Sequence, residues 1–204
     1  MSAQVLSVSL PSEIIYVSGT VNGTAYTWTL MDGAWTATVE RAANDTYAVA
    51  LTAVTAAGVS TNYTLTLYYG LLSLITDRTR ADVENQTDKG FYNASDLNRV
   101  GAAVEYIAGR FTALGYDCPV TVKKDWLTSD APTQRQMETY RQNIVTLRGQ
   151  IAVMASTPEA PASMAGLDYV KANNIEQILL DLDALIDNLI NSWYFSGELY
   201  AGEV

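Results

Sequence analysis

The chain has 204 residues, 12 of them basic and 22 acidic, for a formal charge of −10 and no histidine. That length holds one large domain or two small ones, each able to bury a core. The acidity argues against nucleic-acid binding, which needs a basic footprint, and against docking on anionic lipid.

The first residues, MSAQVLSVSLPSEII, lack the basic and long apolar regions of a secretory signal, so none is expected. No apolar run reaches the length of a membrane span, and no membrane insertion is expected. Asn-x-Ser/Thr triplets at Asn22, Asn44, Asn62, Asn85 and Asn93 are read as chance matches in a threonine-rich chain.

Over residues 1–70 apolar side chains alternate with threonines, the period of a half-buried strand. Asn22-Gly23 and Asp32-Gly33 are hairpin dipeptides, and Asn44-Asp45 and Ala57-Gly58 mark further turns. The alternation assigns Tyr26, Trp28 and Leu30 to an inward face, as it does Trp35, Ala37 and Val39. Tyr47, Val49, Leu51 and Ala53 form the next such face, and Tyr63, Leu65, Leu67 and Tyr69 the last. Six or seven short strands in about 70 residues predict an antiparallel β-sandwich. The triplet Asp45-Thr46-Tyr47 is similar to the tyrosine corner of immunoglobulin-like domains, which makes such a domain the preferred fold. Exposed aromatic rings stack on sugars. Trp28 and Trp35 are assigned to the core, which leaves Tyr68 and Tyr69 as candidate glycan-stacking residues. These two are adjacent, so one of them is expected to face out and to pack on the following segment.

Residues 71–92 read as a junction, with LLSLI at 71–75 buried and a short helix opening at Thr79-Arg80-Ala81-Asp82. After Gly70 the apolar period changes to threes and fours. A first long helix starts at Asn93 or Ser95 with Leu97, Val100, Val104, Ile107, Phe111 and Leu114 on one stripe, and Gly115 ends it. Residues 116–131 read as loop, with a short strand at Val120–Val122. Asp130 is expected to cap the second helix, whose stripe runs Met137, Tyr140, Ile144, Leu147, Ile151 and Met154. The third runs from Ala172 to Tyr194 along Ile175, Ile178, Leu182, Leu185, Leu189 and Trp193. Together, residues 93–194 predict an antiparallel three-helix bundle, and the fold class is α+β multidomain. Residues 195–204 read as an extended tail, either a hairpin, an arm or a frayed end.

No enzyme is expected. Without histidine, Ser-His-Asp and Cys-His catalysis are excluded, and no phosphate-binding glycine loop is present. The carboxylates Glu176, Asp181, Asp183 and Asp187 are assigned to a solvated helix face, away from any cleft. They lack the loop geometry that calcium prefers, so neither a metal nor a cofactor is expected. Cys118, the single cysteine, is read as an inert thiol beside Asp117. Lys123-Lys124-Asp125-Trp126 reads as a salt-bridged loop edge.

The strings LITDRTRADV (74–83), KGFYNASDLNRVGAAVEYIA (89–108), KKDW (123–126) and PTQRQMETYRQNIVTLR (132–148) carry a resemblance. So do ANNIEQILLDLDALI (172–186) and YFSGELYAGEV (194–204). In this order they resemble a module of tail-region structural proteins of phages and prophages of Gram-positive gut bacteria. The resemblance implies a virion protein of the tail tip or baseplate, assembled in the bacterial cytoplasm, with other tail proteins or copies of itself as partners. It carries over no catalytic residue. Long fibrous segments of receptor-binding tail proteins are absent, which favours an adaptor or decoration role. In this reading the helices anchor to the particle, with Tyr194, Leu199, Tyr200 and Val204 as candidate partner-binding residues. The alternative is a surface adhesion or carbohydrate-binding module, working through the β-sandwich on a host glycan or protein.

Overall fold

A computed structural model describes residues 3–43, 45–69, 71 and 73–196, without the side chains of the last four. The fold is mixed α+β, with two antiparallel sheets and four helices among the described residues. The strands are β1 (Ala3–Val8), β2 (Ile14–Val21), β3 (Thr24–Thr27), β4 (Thr29–Met31), β5 (Ala34–Glu40), β6 (Thr46–Thr55) and β7 (Ser60–Tyr68). One sheet has the order β1-β5-β4 and the other β3-β2-β6-β7. Asn22-Gly23 and Asp32-Gly33 make the two tight turns, each residue at positive φ as a type I′ turn demands.

Threonines line the outer faces and aliphatic residues the inner ones. Leu6, Val8, Trp35, Ala37 and Val39 of the first sheet share one buried cluster with Val17, Tyr47, Val49, Leu51, Ala53, Leu65 and Leu67 of the second. Trp28 lies in this core, in the gap where the chain crosses from one sheet to the other. Leu30 corrects the expected pattern: it lies opposite Trp35 yet is 57% exposed, because β4 is a three-residue edge strand.

The helices are α1 (Arg80–Glu84), α2 (Ala94–Ala113), α3 (Gln134–Arg148) and α4 (Tyr169–Ser196). Thr79 and Asn93 close capping boxes with Asp82 and Asp96, so both N-terminal signals act as the sequence predicts. Gly115, at φ 86°, follows α2. Thr133 caps α3 in place of Asp130, because Gln136 completes a capping box with it, while Asp130 accepts from the Leu127 N–H instead. The helix ends at Arg148, short of Met154, which is 42% exposed. Val120–Val122 is loop rather than strand, since the Asn143 side chain pairs both ways with the Thr121 backbone, at 3.1 and 2.7 Å.

Leu97, Val100, Val104, Ile107 and Phe111 of α2 bury against Tyr140, Ile144 and Leu147 of α3 and Ile175, Ile178, Leu182 and Ile186 of α4. Leu71 and Leu74 pack on the edge of this second cluster, while Leu72 lies outside the described residues. The two clusters meet where β7 lies along α2. Leu127, from the loop before α3, belongs to the sheet core.

Candidate functional site

Four buried charges gather beneath the first helical turns. Arg78 comes from the segment before α1, Asp96 and Arg99 from successive turns of α2, and Glu176 from α4. Arg78 Nη2 donates to Asp96 Oδ1 at 2.8 Å and to Glu176 Oε1 at 2.7 Å. Arg99 donates to both oxygens of Glu176, at 2.9 and 3.0 Å, and also to Asp96. The Ile75 N–H completes the shell of Glu176 at 2.6 Å. Two guanidinium groups thus balance two carboxylates, and Glu176 is fully buried. Such a group leaves water at a large desolvation cost, recovered only when every charge is paired. Burial would release the Arg99 proton, but Glu176 and Asp96 outweigh that and raise its pKa.

The Tyr92 and Tyr140 hydroxyls bond to one another beside this cluster, and burial pushes both far above the ordinary phenol value. Asn173 ties Arg78 to α4 through its backbone, accepting from N–H at 3.0 Å and donating to C=O at 2.9 Å. Glu176 was expected on a solvated face. It instead occupies the inner face of α4 beside Ile175 and Leu179, because the two arginines supply its counter-charge there. Asp96 and Arg99, three apart on the apolar side of α2 around Leu97, were the sequence signal for it.

The second polar assembly joins sheets to helices. Asn98, fully buried on α2, donates to the Thr66 and Trp126 carbonyls, both at 3.0 Å, and accepts from the Trp126 N–H at 2.6 Å. Asp125 accepts from the Ser9 N–H of the sheet half and pairs with Lys123 at 2.8 Å. Tyr68 lies under the Arg99 guanidinium, 5.8 Å from it. Tyr69 meets Tyr47 edge-on at 5.6 Å, donates to the Val5 carbonyl at 3.1 Å and carries the Lys124 ammonium at 5.1 Å. Burial pushes its hydroxyl up to about 12. Both tyrosines are half-buried at the joint.

Tyr194 falls in the last turn of α4 with its side chain undescribed, and Leu199, Tyr200 and Val204 lie outside the described residues. Asp183 and Asp187 both bind Arg110, which ties α4 to α2, and Asp181 accepts from Gln177 at 2.7 Å. The Cys118 thiol is buried, and burial pushes its pKa up. No group of three or more acidic, cysteine or histidine side chains among the described residues is placed to hold a metal. No helix among them is long and apolar enough to cross a membrane. No protein-family model matches the chain, and no curated protein or solved structure matches it.

Proposed function

We propose that this chain is a non-enzymatic structural component of a phage tail, an adaptor or decoration protein of the tail tip or baseplate that works through protein contacts. The observation that carries the reading is the joint. Asn98, Asp125 and Leu127 lock the sheets to the helices, so that the two halves form one rigid spacer. The acidic clusters serve the same end: the carboxylates of the buried group and Asp183 and Asp187 of α4 are spent on arginines that hold elements together.

In this reading the sheet half is an immunoglobulin-like β-sandwich. Its strand orders correspond to B-E-D and C′-C-F-G of that fold, with no strand A among the described residues. Tyr47, at the start of the penultimate strand, supplies the tyrosine corner: its hydroxyl accepts from the Ala42 N–H at 3.0 Å. The helices α2, α3 and α4 form an antiparallel three-helix bundle that attaches to the particle. The alternative of a carbohydrate-binding module finds no stacking platform in Trp28 and Trp35, which are core residues 5% and 7% exposed, and only half-buried rings in Tyr68 and Tyr69.

The test is mass spectrometry of density-purified particles, induced from the bacterium that encodes the chain. The chain is expected in constant proportion to the other tail proteins. Its confinement to the soluble cell fraction would overturn the proposal.

A further inference from the structure

A cleft of about 290 Å³ opens between α2, the 121–126 loop and the first turns of α3. Its apolar surface comes from Val104, Val122, Trp126 and Tyr140, and its polar rim from Arg135 and Gln136. None of the residues that line it is acidic. This sets it apart in a chain of charge −10: four other clefts contain Asp130, Asp45, Asp32 and Asp168 respectively.

Two donor groups on the rim of this cleft, those of Arg135 and Gln136, lack acceptors among the described residues. Every lysine and arginine except Arg135 has a carboxylate within 4.0 Å, and Arg135 is exposed at the rim. Gln136 spends its carbonyl oxygen on the Thr133 cap, which leaves its amide N–H groups as donors. The indole of Trp126, 4% exposed, lines the floor beneath them. Arg135 and Gln136 also stand in the first turn of the 15-residue α3, where the helix dipole favours negative charge.

Donor groups on a rim, an apolar floor and no competing carboxylate select a particular chemistry. We propose that this cleft binds a carboxylate attached to a small apolar group, its oxygens taken by Arg135 and Gln136 and its apolar part laid against Val104, Val122 and Tyr140. The guanidinium suits the planar carboxylate, to which it can donate two parallel hydrogen bonds. Such a ligand is either a free organic acid or the C-terminal residue of a polypeptide. The two share this head group.

Nuclear magnetic resonance of the whole chain tests the inference through the assigned Trp126 indole N–H. Phenylacetate at millimolar concentration is expected to move that resonance, and Arg135→Ala to weaken the affinity about tenfold, the loss expected for one charge-assisted hydrogen bond. Phenylacetamide, which has the same shape without the charge, is expected to leave it in place. A second arm uses acetyl-glycyl-phenylalanine with its C-terminus free or amidated. Binding of phenylacetate alone assigns a free acid, and binding of the free-ended peptide at least as tightly assigns a chain terminus. The proposal is overturned if neither acid moves the resonance, if the amides bind equally well, or if Arg135→Ala leaves the affinity unchanged. Arg135 is exposed and makes no ion pair among the described residues, so its substitution leaves the fold intact.

Discussion

Glu176 is the residue on which the helical half most depends. It takes four hydrogen bonds from Arg78, Arg99 and the Ile75 backbone, and it is fully buried. Removing one partner from a buried ion group leaves uncompensated charge, at a cost of about 3–5 kcal/mol. Glu176→Gln is therefore expected to lower the urea-unfolding free energy by that amount, and a loss below about 1 kcal/mol would mean the group behaves as a surface pair. Asp125 gives a pH prediction. Burial pushes its carboxyl up, but Lys123 and the Ser9 N–H outweigh burial and hold it below its ordinary 3.8. A carboxyl that is more acidic in the folded chain stabilises above its unfolded pKa, and that contribution disappears as pH falls through the folded value. Between about pH 5 and pH 2, Asp125→Asn should lose less stability than the parent chain. Equal acid sensitivity in the two would show that Asp125 is unperturbed. The Asp125–Lys123 pair was legible as a salt-bridged loop edge, whereas Glu176 was not, because an acid beside an apolar stripe reads as solvated until its counter-ions, 77 and 98 positions away, are placed next to it.

Elements were read best where their signals are local. Asn93 and Thr79 start helices as side-chain caps must, and Asn22-Gly23 forces its turn whatever surrounds it. Thr133-x-x-Gln136 was an equally local signal for the start of α3, masked by the nearby Asp130-x-Pro132. Leu30 and Val120–Val122 failed for a different reason: period fixes which face a residue takes, but only tertiary pairing decides whether that face is covered. A close contact joins α2 to the loop before α3 at Gly101, where a Cβ would stand 2.8 Å from the Lys123 carbonyl oxygen and 3.3 Å from Val122. Gly101→Ala is expected to push the 121–126 loop off the helix and cost about 1–3 kcal/mol, visible as a lowered melting temperature. An unchanged or raised value would show that the loop yields freely.

At the scale of the molecule, the two cores were legible as a change of period, but the joint was not. Asn98 looks like any polar helix residue, and its partners Thr66 and Trp126 lie 32 and 28 positions away. Asn98→Ala strips three hydrogen bonds from buried backbone groups, a loss of at least about 2 kcal/mol. With that lock gone, the halves should uncouple. The coincident unfolding curves expected of the parent, read by tryptophan fluorescence and by helical circular dichroism, should separate in the variant. Curves that stay coincident would place the coupling elsewhere. The proposed tail role adds an expectation about residues 195–204: their deletion should abolish incorporation into particles and leave the unfolding curve unchanged. Normal incorporation would show that attachment uses another surface.

The most direct test of the account is immunogold electron microscopy of induced particles, with antibody raised against the purified chain. Gold at one end of the tail, lost when the gene is deleted, is the result predicted for a tail-tip or baseplate component. Gold on the bacterial surface and none on particles would contradict it.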